Sequence, residues 1–115
     1  MTVEQVALDV VADGHVAHLD GDIDLAVADA IEAEILRRTE PSAALVVDLT
    51  AVSFLDSAGV RLVDRLVYRH EAAGSGVAIV APEGGSPRFS LRVCGFRPDL
   101  LVDTLPAALQ TVGRR

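Results

Sequence analysis

Two short runs in this chain are almost continuously apolar, Leu45-Val46-Val47-Asp48-Leu49 and Val77-Ala78-Ile79-Val80-Ala81. Runs of this length read as strands covered on at least one face and hydrogen-bonded along both edges. Between them Val60, Val63, Leu66 and Val67 recur at helical spacing, with Arg61, Asp64, Arg65 and Arg69 on the polar side. A strand, a helix and a second strand in that order constrain the fold tightly. The crossover is right-handed and the sheet is mostly parallel.

The flanking segments extend this pattern. Val6, Leu8 and Val10 alternate with Ala7 and Asp9, which is strand periodicity. Asp13-Gly14 is expected to supply the positive-φ positions of a tight hairpin, with His15 to Leu19 returning antiparallel. After the segment Gly21-Asp22-Ile23-Asp24, the residues Val27, Ala28, Ile31, Ile35 and Leu36 mark a first helix. Asp24 is placed to cap it, Arg37 and Arg38 complement its dipole, and Pro41 stops it. Ser57 opens the second helix and Gly74 closes it. Residues 86–94 read as a third helix, Leu101-Val102 as a short strand, and a last helix runs from Thr104 with Pro106 in its first turn. The order is β-β-α-β-α-β-α-β-α: an α/β fold, a mixed and mostly parallel sheet with an N-terminal β-hairpin. No linker divides residues 1–115, which are expected to form one domain.

Composition narrows the function classes. The net charge is −7, and all ten basic residues are arginines scattered among seventeen carboxylates. An acidic surface repels phosphate backbones and anionic lipid, so no direct nucleic-acid or membrane partner is expected. Three Phe and one Tyr offer no platform for stacking bases. The single cysteine, Cys94, excludes an internal disulfide and is read as a core residue of the third helix. No run approaches the ~18 apolar residues of a membrane span, and the N-terminus has no signal-peptide pattern. A cytoplasmic location is the expectation.

Sites in such sheets lie beyond the carboxyl ends of the strands. There the chain reads Thr50-Ala51-Val52-Ser53-Phe54-Leu55-Asp56-Ser57-Ala58-Gly59-Val60, taken as a loop anchored by Phe54 or Leu55 and leading into a helix. Ser57 is read as the N-cap of that helix. The same position suits a phosphoacceptor, because free N–H donors and the helix dipole stabilise an attached phosphate. Asp56 is either a capping carboxylate or a group that orients the Ser57 hydroxyl. Asp22 and Asp24 share this rim, with turn and cap duties as the alternative.

Catalysis has little support. Ser57 lies between Leu55 and Gly59, so the glycine-x-serine-x-glycine elbow is absent. Histidines 15, 18 and 70 have no metal-ligand spacing; His70 sits at a helix end, where it suits the dipole. Asp48 resembles a phosphoaccepting aspartate, but the lysine of a receiver domain is missing, since the chain has none. No catalytic residue, metal or cofactor is expected.

The run Val46 to Val60, with its Asp56-Ser57-Ala58-Gly59 helix start, resembles the signature of STAS domains and, more narrowly, of the bacterial anti-sigma factor antagonists (anti-anti-sigma factors). Gly21-Asp22-Ile23-Asp24 is similar to the family's glycine-glutamate-leucine-aspartate turn, and Ser86-Pro87-Arg88-Phe89 through Cys94-Gly95-Phe96 to its third helix and glycine turn. The resemblance implies a switch protein that binds an anti-sigma factor, a GHKL-type serine kinase, and so frees a sigma factor. It implies Ser57 as the phosphoacceptor, reset by a PP2C-type phosphatase, with Asp22, Asp24, Asp56, Ala58, Gly59, Val60 and Arg61 as phosphosite neighbourhood and partner surface. Arg61 and Val60 stand where the family more often has small or apolar residues. Other members of the wider family serve as unphosphorylated scaffolds or accessory interaction modules, which is the alternative reading.

Overall fold

The computed structural model describes residues 4–113. The chain runs β1 (Val6–Val11), β2 (Gly14–Ile23), α1 (Leu25–Arg38), β3 (Ala44–Leu55), α2 (Ser57–Ala72), β4 (Val77–Val80), α3 (Ser86–Val93), a 3-10 turn over Pro98–Leu100, β5 (Leu101–Val102) and α4 (Leu105–Gly113). The strands form one sheet in the order β1-β2-β3-β4-β5. β1 and β2 are antiparallel and the other neighbours are parallel. This is the α/β order read from the periodicity.

The two faces of the sheet are buried separately, as strand alternation requires. Ala17, Leu19, Leu45, Val47, Val77 and Ile79 face one way and pack under α1, α2 and α3 through Ile31, Ile35, Leu62, Leu66 and Leu91. Val16, Val46, Ala78 and Val80 face the other way, against Ala108 and Val112 of α4. On that second face α4 reaches the Val11 and Val16 part of β1 and β2, and beyond it Asp9 and His18 stay partly exposed. The polar residues pair with each other there, His18 bridging Asp48 at 2.7 Å through Nδ1 and Asp9 at 3.0 Å through Nε2. Asp48, the charge inside an apolar strand, is thus satisfied on that face. Partial burial pushes its carboxyl up, but bonds from the Thr50 hydroxyl and N–H and from His18 outweigh this and lower it overall.

Several expectations change at this scale. The hairpin is there, with Val11 opposite Gly14, but no residue of it has a positive φ. Gly14 is required for a different reason: a Cβ would lie 1.9 Å from the Ala44 carbonyl oxygen. β2 and β3 are also longer than expected. The stretches around Gly21 and around Phe54 are strand, not turn and loop. Register shifts at His18/Asp20 and Gly21/Asp22 break the period-two alternation while pairing continues to Ile23 opposite Leu55. Cys94 is exposed at the C-cap of α3 and is no part of the core.

Candidate functional site

β2 and β3 end side by side, and each hands over to a helix through one aspartate. Asp24 caps α1, its Oδ1 accepting from the Ala26 N–H at 3.0 Å. Asp56 caps α2, its Oδ1 accepting from the Gly59 N–H at 3.0 Å. The cap expected at Ser57 therefore belongs to the residue before it. The reason is local: Asp56 has extended backbone (φ −87, ψ −174), from which its carboxylate reaches the third N–H of the helix. A carboxylate also gains more from the helix dipole than a hydroxyl does.

This arrangement releases Ser57. It stands at the first helical position of α2, exposed, and its hydroxyl has no hydrogen-bond partner among the described residues. Asp56 makes its bond to the Gly59 N–H rather than to Ser57.

The two helix starts are tied together by backbone. The Asp56 N–H donates to the Ile23 carbonyl at 3.2 Å. Gly59 closes the gap further, since a Cβ there would meet Leu55 Cδ1 at 2.5 Å and the Ile23 oxygen at 2.9 Å. Behind them the Gln5 amide donates to the carbonyls of Asp20 at 3.0 Å and Asp22 at 2.9 Å, which steadies the end of β2.

The fold thus brings Asp22, Asp24, Asp56 and Ser57 to one pole of the sheet, with Arg61 exposed one helical turn beyond Ser57. Ala58, Gly59 and Val60 lie beneath, buried, and present no side chain to solvent. Two apolar side chains join the exposed rim. Phe54, opposite Asp22 in the register, is 50% exposed, and Leu25, the first residue of α1, is 72% exposed. Leu25 escapes a sequence reading because it lies next to a capping aspartate; the signal is its position off the apolar stripe of α1.

Chemically this is a surface with a nucleophile-bearing hydroxyl, free helix N–H groups, acidic neighbours and apolar anchors. Among the described residues no histidine stands beside Ser57. His70 is at the far end of α2, about 20 Å from Ser57 at 1.5 Å per residue. It is fully buried, its Nδ1–H donating to the Ala43 carbonyl at 2.9 Å. Burial lowers its pKa, so it is a neutral tie within the core and not the dipole-matching cation expected from its place at a helix end. His18 is held by Asp9 and Asp48.

Among solved structures the chain is similar to an anti-sigma factor antagonist from Mycobacterium paratuberculosis, with TM-score 0.76 and 27% identity over 98% of this chain and 99% of that one. It is similar to the anti-sigma factor antagonist SpoIIAA in its unphosphorylated form, with TM-score 0.76 and 22% identity over 96% and 97% of the two chains. The phosphorylated form of SpoIIAA, a Bacillus cell fate determinant, gives TM-score 0.67 and 22% identity over 91% and 96%. The likeness to SpoIIAA shows the shared fold. No curated protein sequence matches the chain. The STAS domain model matches residues 6–108, a stretch that holds all five strands and the whole capped pole, and the chain belongs to the STAS domain family.

Proposed function

We propose that this chain is a phosphorylation-switched anti-sigma factor antagonist. Unmodified, it binds an anti-sigma factor that is also a GHKL-type serine kinase, and so releases a sigma factor. Phosphorylated on Ser57, it lets the anti-sigma factor go, and a PP2C-type phosphatase resets it. It acts by binding and not as an enzyme, in the cytoplasm. The observation that carries the reading is the exposed Ser57 hydroxyl at the first position of α2, left unbonded because Asp56 takes the cap. Two facts support it. A phosphate at that position meets free N–H groups and the positive end of the helix dipole. One structural neighbour has been solved both without and with phosphate.

The test is phosphorylation of the purified chain by its cognate anti-sigma factor with ATP, mapped by mass spectrometry. The expected product carries one phosphate on Ser57, and Ser57→Ala carries none. Ser42 and Ser53 are the nearest alternative acceptors in the sequence. Phosphate persisting in Ser57→Ala overturns the assignment. Stable complex formation that is indifferent to ATP leaves the scaffold reading in its place. ATP without the kinase should add nothing, because in this reading the catalytic machinery belongs to the kinase.

A further inference from the structure

The two edges of the sheet are unlike. β5 is two residues long and offers little to pair with. β1 is six residues, Val-Ala-Leu-Asp-Val-Val, and among the described strands pairs with β2 alone. Natural edge strands are usually guarded by charged side chains, lysine above all, by proline, by a bulge or by a covering segment. β1 has neither lysine nor proline, its one charge, Asp9, is paired with His18 at 3.0 Å, its register with β2 is unbroken from Val6 to Val11, and no described strand pairs with its outer side.

The hydrogen-bonding direction of each residue follows from the pairing. The Gln5 carbonyl accepts from the Asp20 N–H at 3.1 Å, so Gln5 faces β2, and Ala7, Asp9 and Val11 face it in turn. The backbone groups of Val6, Leu8 and Val10 therefore point outward, with no backbone partner among the described residues. Their side chains share the helix-bearing face, where Val6 is buried, Leu8 half-buried and Val10 82% exposed.

We propose that β1 pairs antiparallel with β1 of a second copy of this chain, about a two-fold axis at Leu8. The occupant is argued from self-complementarity. In this register Leu8 faces Leu8, and Val6 faces Val10 in both directions. All three outward residues become hydrogen-bonded pairs, for about six new backbone bonds. The exposed Val10 lies beside the partner's buried Val6 and continues its apolar row. On the other face Ala7 stands opposite Asp9, so the two Asp9 carboxylates never face each other. The neighbouring registers are worse. Moving the axis to Asp9 sets those carboxylates directly opposite, which is destabilising, and moving it to Ala7 loses a pair of bonds. The result is one continuous sheet through both copies, with each Ser57 pole free.

The experiment needs no kinase and no nucleotide, so it fails or succeeds independently of the switch. Sedimentation of the whole chain over a wide concentration range should show a reversible species of twice the monomer's mass. Added salt should tighten it, because two chains of −7 repel each other. Val10→Lys, at an exposed position, should be monomeric with unchanged circular dichroism. In a Cys94→Ser background, Ala7→Cys/Asp9→Cys should form a covalent dimer on mild oxidation, since non-hydrogen-bonded pairs lie within disulfide reach. Asp9→Cys alone should not. A chain that stays monomeric at every concentration overturns the proposal, as does a dimer indifferent to Val10→Lys. Cross-linking by Asp9→Cys alone overturns the register.

Discussion

At Gly59 two demands on one residue conflict, and their magnitudes can be compared. Replacing a helical glycine with alanine gains about 1 kcal/mol of helix propensity. Here, however, the new methyl would meet Leu55 Cδ1 at 2.5 Å and the Ile23 carbonyl at 2.9 Å. Leu55 can turn aside, but the Ile23 oxygen is backbone and accepts from the Asp56 N–H. Overpacking of this kind costs roughly 1–3 kcal/mol, which outweighs the propensity gain. Gly59→Ala is therefore expected to lower the urea midpoint. It should also slow phosphorylation of Ser57, because the adjustment displaces the first turn of α2. A midpoint at or above wild type would show that the contact is relieved elsewhere. Residue-scale legibility had a clear limit at this pole. Asp56 and Ser57 are both good capping residues in adjacent positions, so composition cannot choose between them. The choice lies in the extended backbone of Asp56, which depends on where β3 ends.

Element α2 is fastened at both ends, and the lower fastening is sensitive to protons. Near its C-terminus His70 donates to Ala43, while Arg69 donates to the Thr39 carbonyl and hydroxyl at 3.0 Å each. Ser75 ties the following turn to the Pro41 carbonyl at 2.6 Å. Burial is the main cause of the lowered His70 pKa, and the nearby charges of Arg69 and His15 act in the same direction. Its Nε2 is buried with no hydrogen-bond partner, so protonation there creates a buried cation with nothing to accept its proton. The sign follows from proton counts. Between the lowered folded pKa and the ordinary histidine value, the unfolded chain binds more protons, so stability rises with pH in that window. It is present in full above the ordinary value and is lost as pH falls below it. Urea midpoints at pH 7.5 and 5.5 check this. Wild type should lose more stability on acidification than His70→Asn, whose amide can still donate to Ala43. Equal losses would exclude His70 as the source. At this scale most of the fold was legible, because the helices and the central strands keep clean periods. The exceptions were the far ends of β2 and β3, where Asp20, Gly21, Asp22, Thr50 and Ser53 read as loop. Bulges explain them, since each inserted residue shifts the alternation without ending the ladder.

For the whole molecule, the proposed switch must act without refolding, and the charge distribution explains how. A phosphate on Ser57 adds close to two negative charges to a chain already at −7. In the free domain that charge sits at the start of α2, where the dipole and free N–H groups stabilise it, so nothing in the core has to move. Its other neighbours are Asp22, Asp24 and Asp56, none of which can neutralise it. Within the proposed complex the same group would be stripped of water beneath a partner seated on this rim, beside the exposed Phe54 and Leu25. An unpaired buried charge of this kind costs about 3 kcal/mol, on the order of a hundredfold in affinity. Titration calorimetry of unmodified and phosphorylated chain against the anti-sigma factor should show that loss, while circular dichroism stays the same. Ser57→Asp brings half the charge and little of the bulk, and should fall between the two. Because Ser57 is exposed, raising the salt should shrink the repulsive part acting across solvent, beyond about 8 Å, but not the desolvation part. The affinity gap should therefore narrow with salt without closing. Equal affinities at low salt would exclude the switch and leave a constitutive binding module with this rim as its surface.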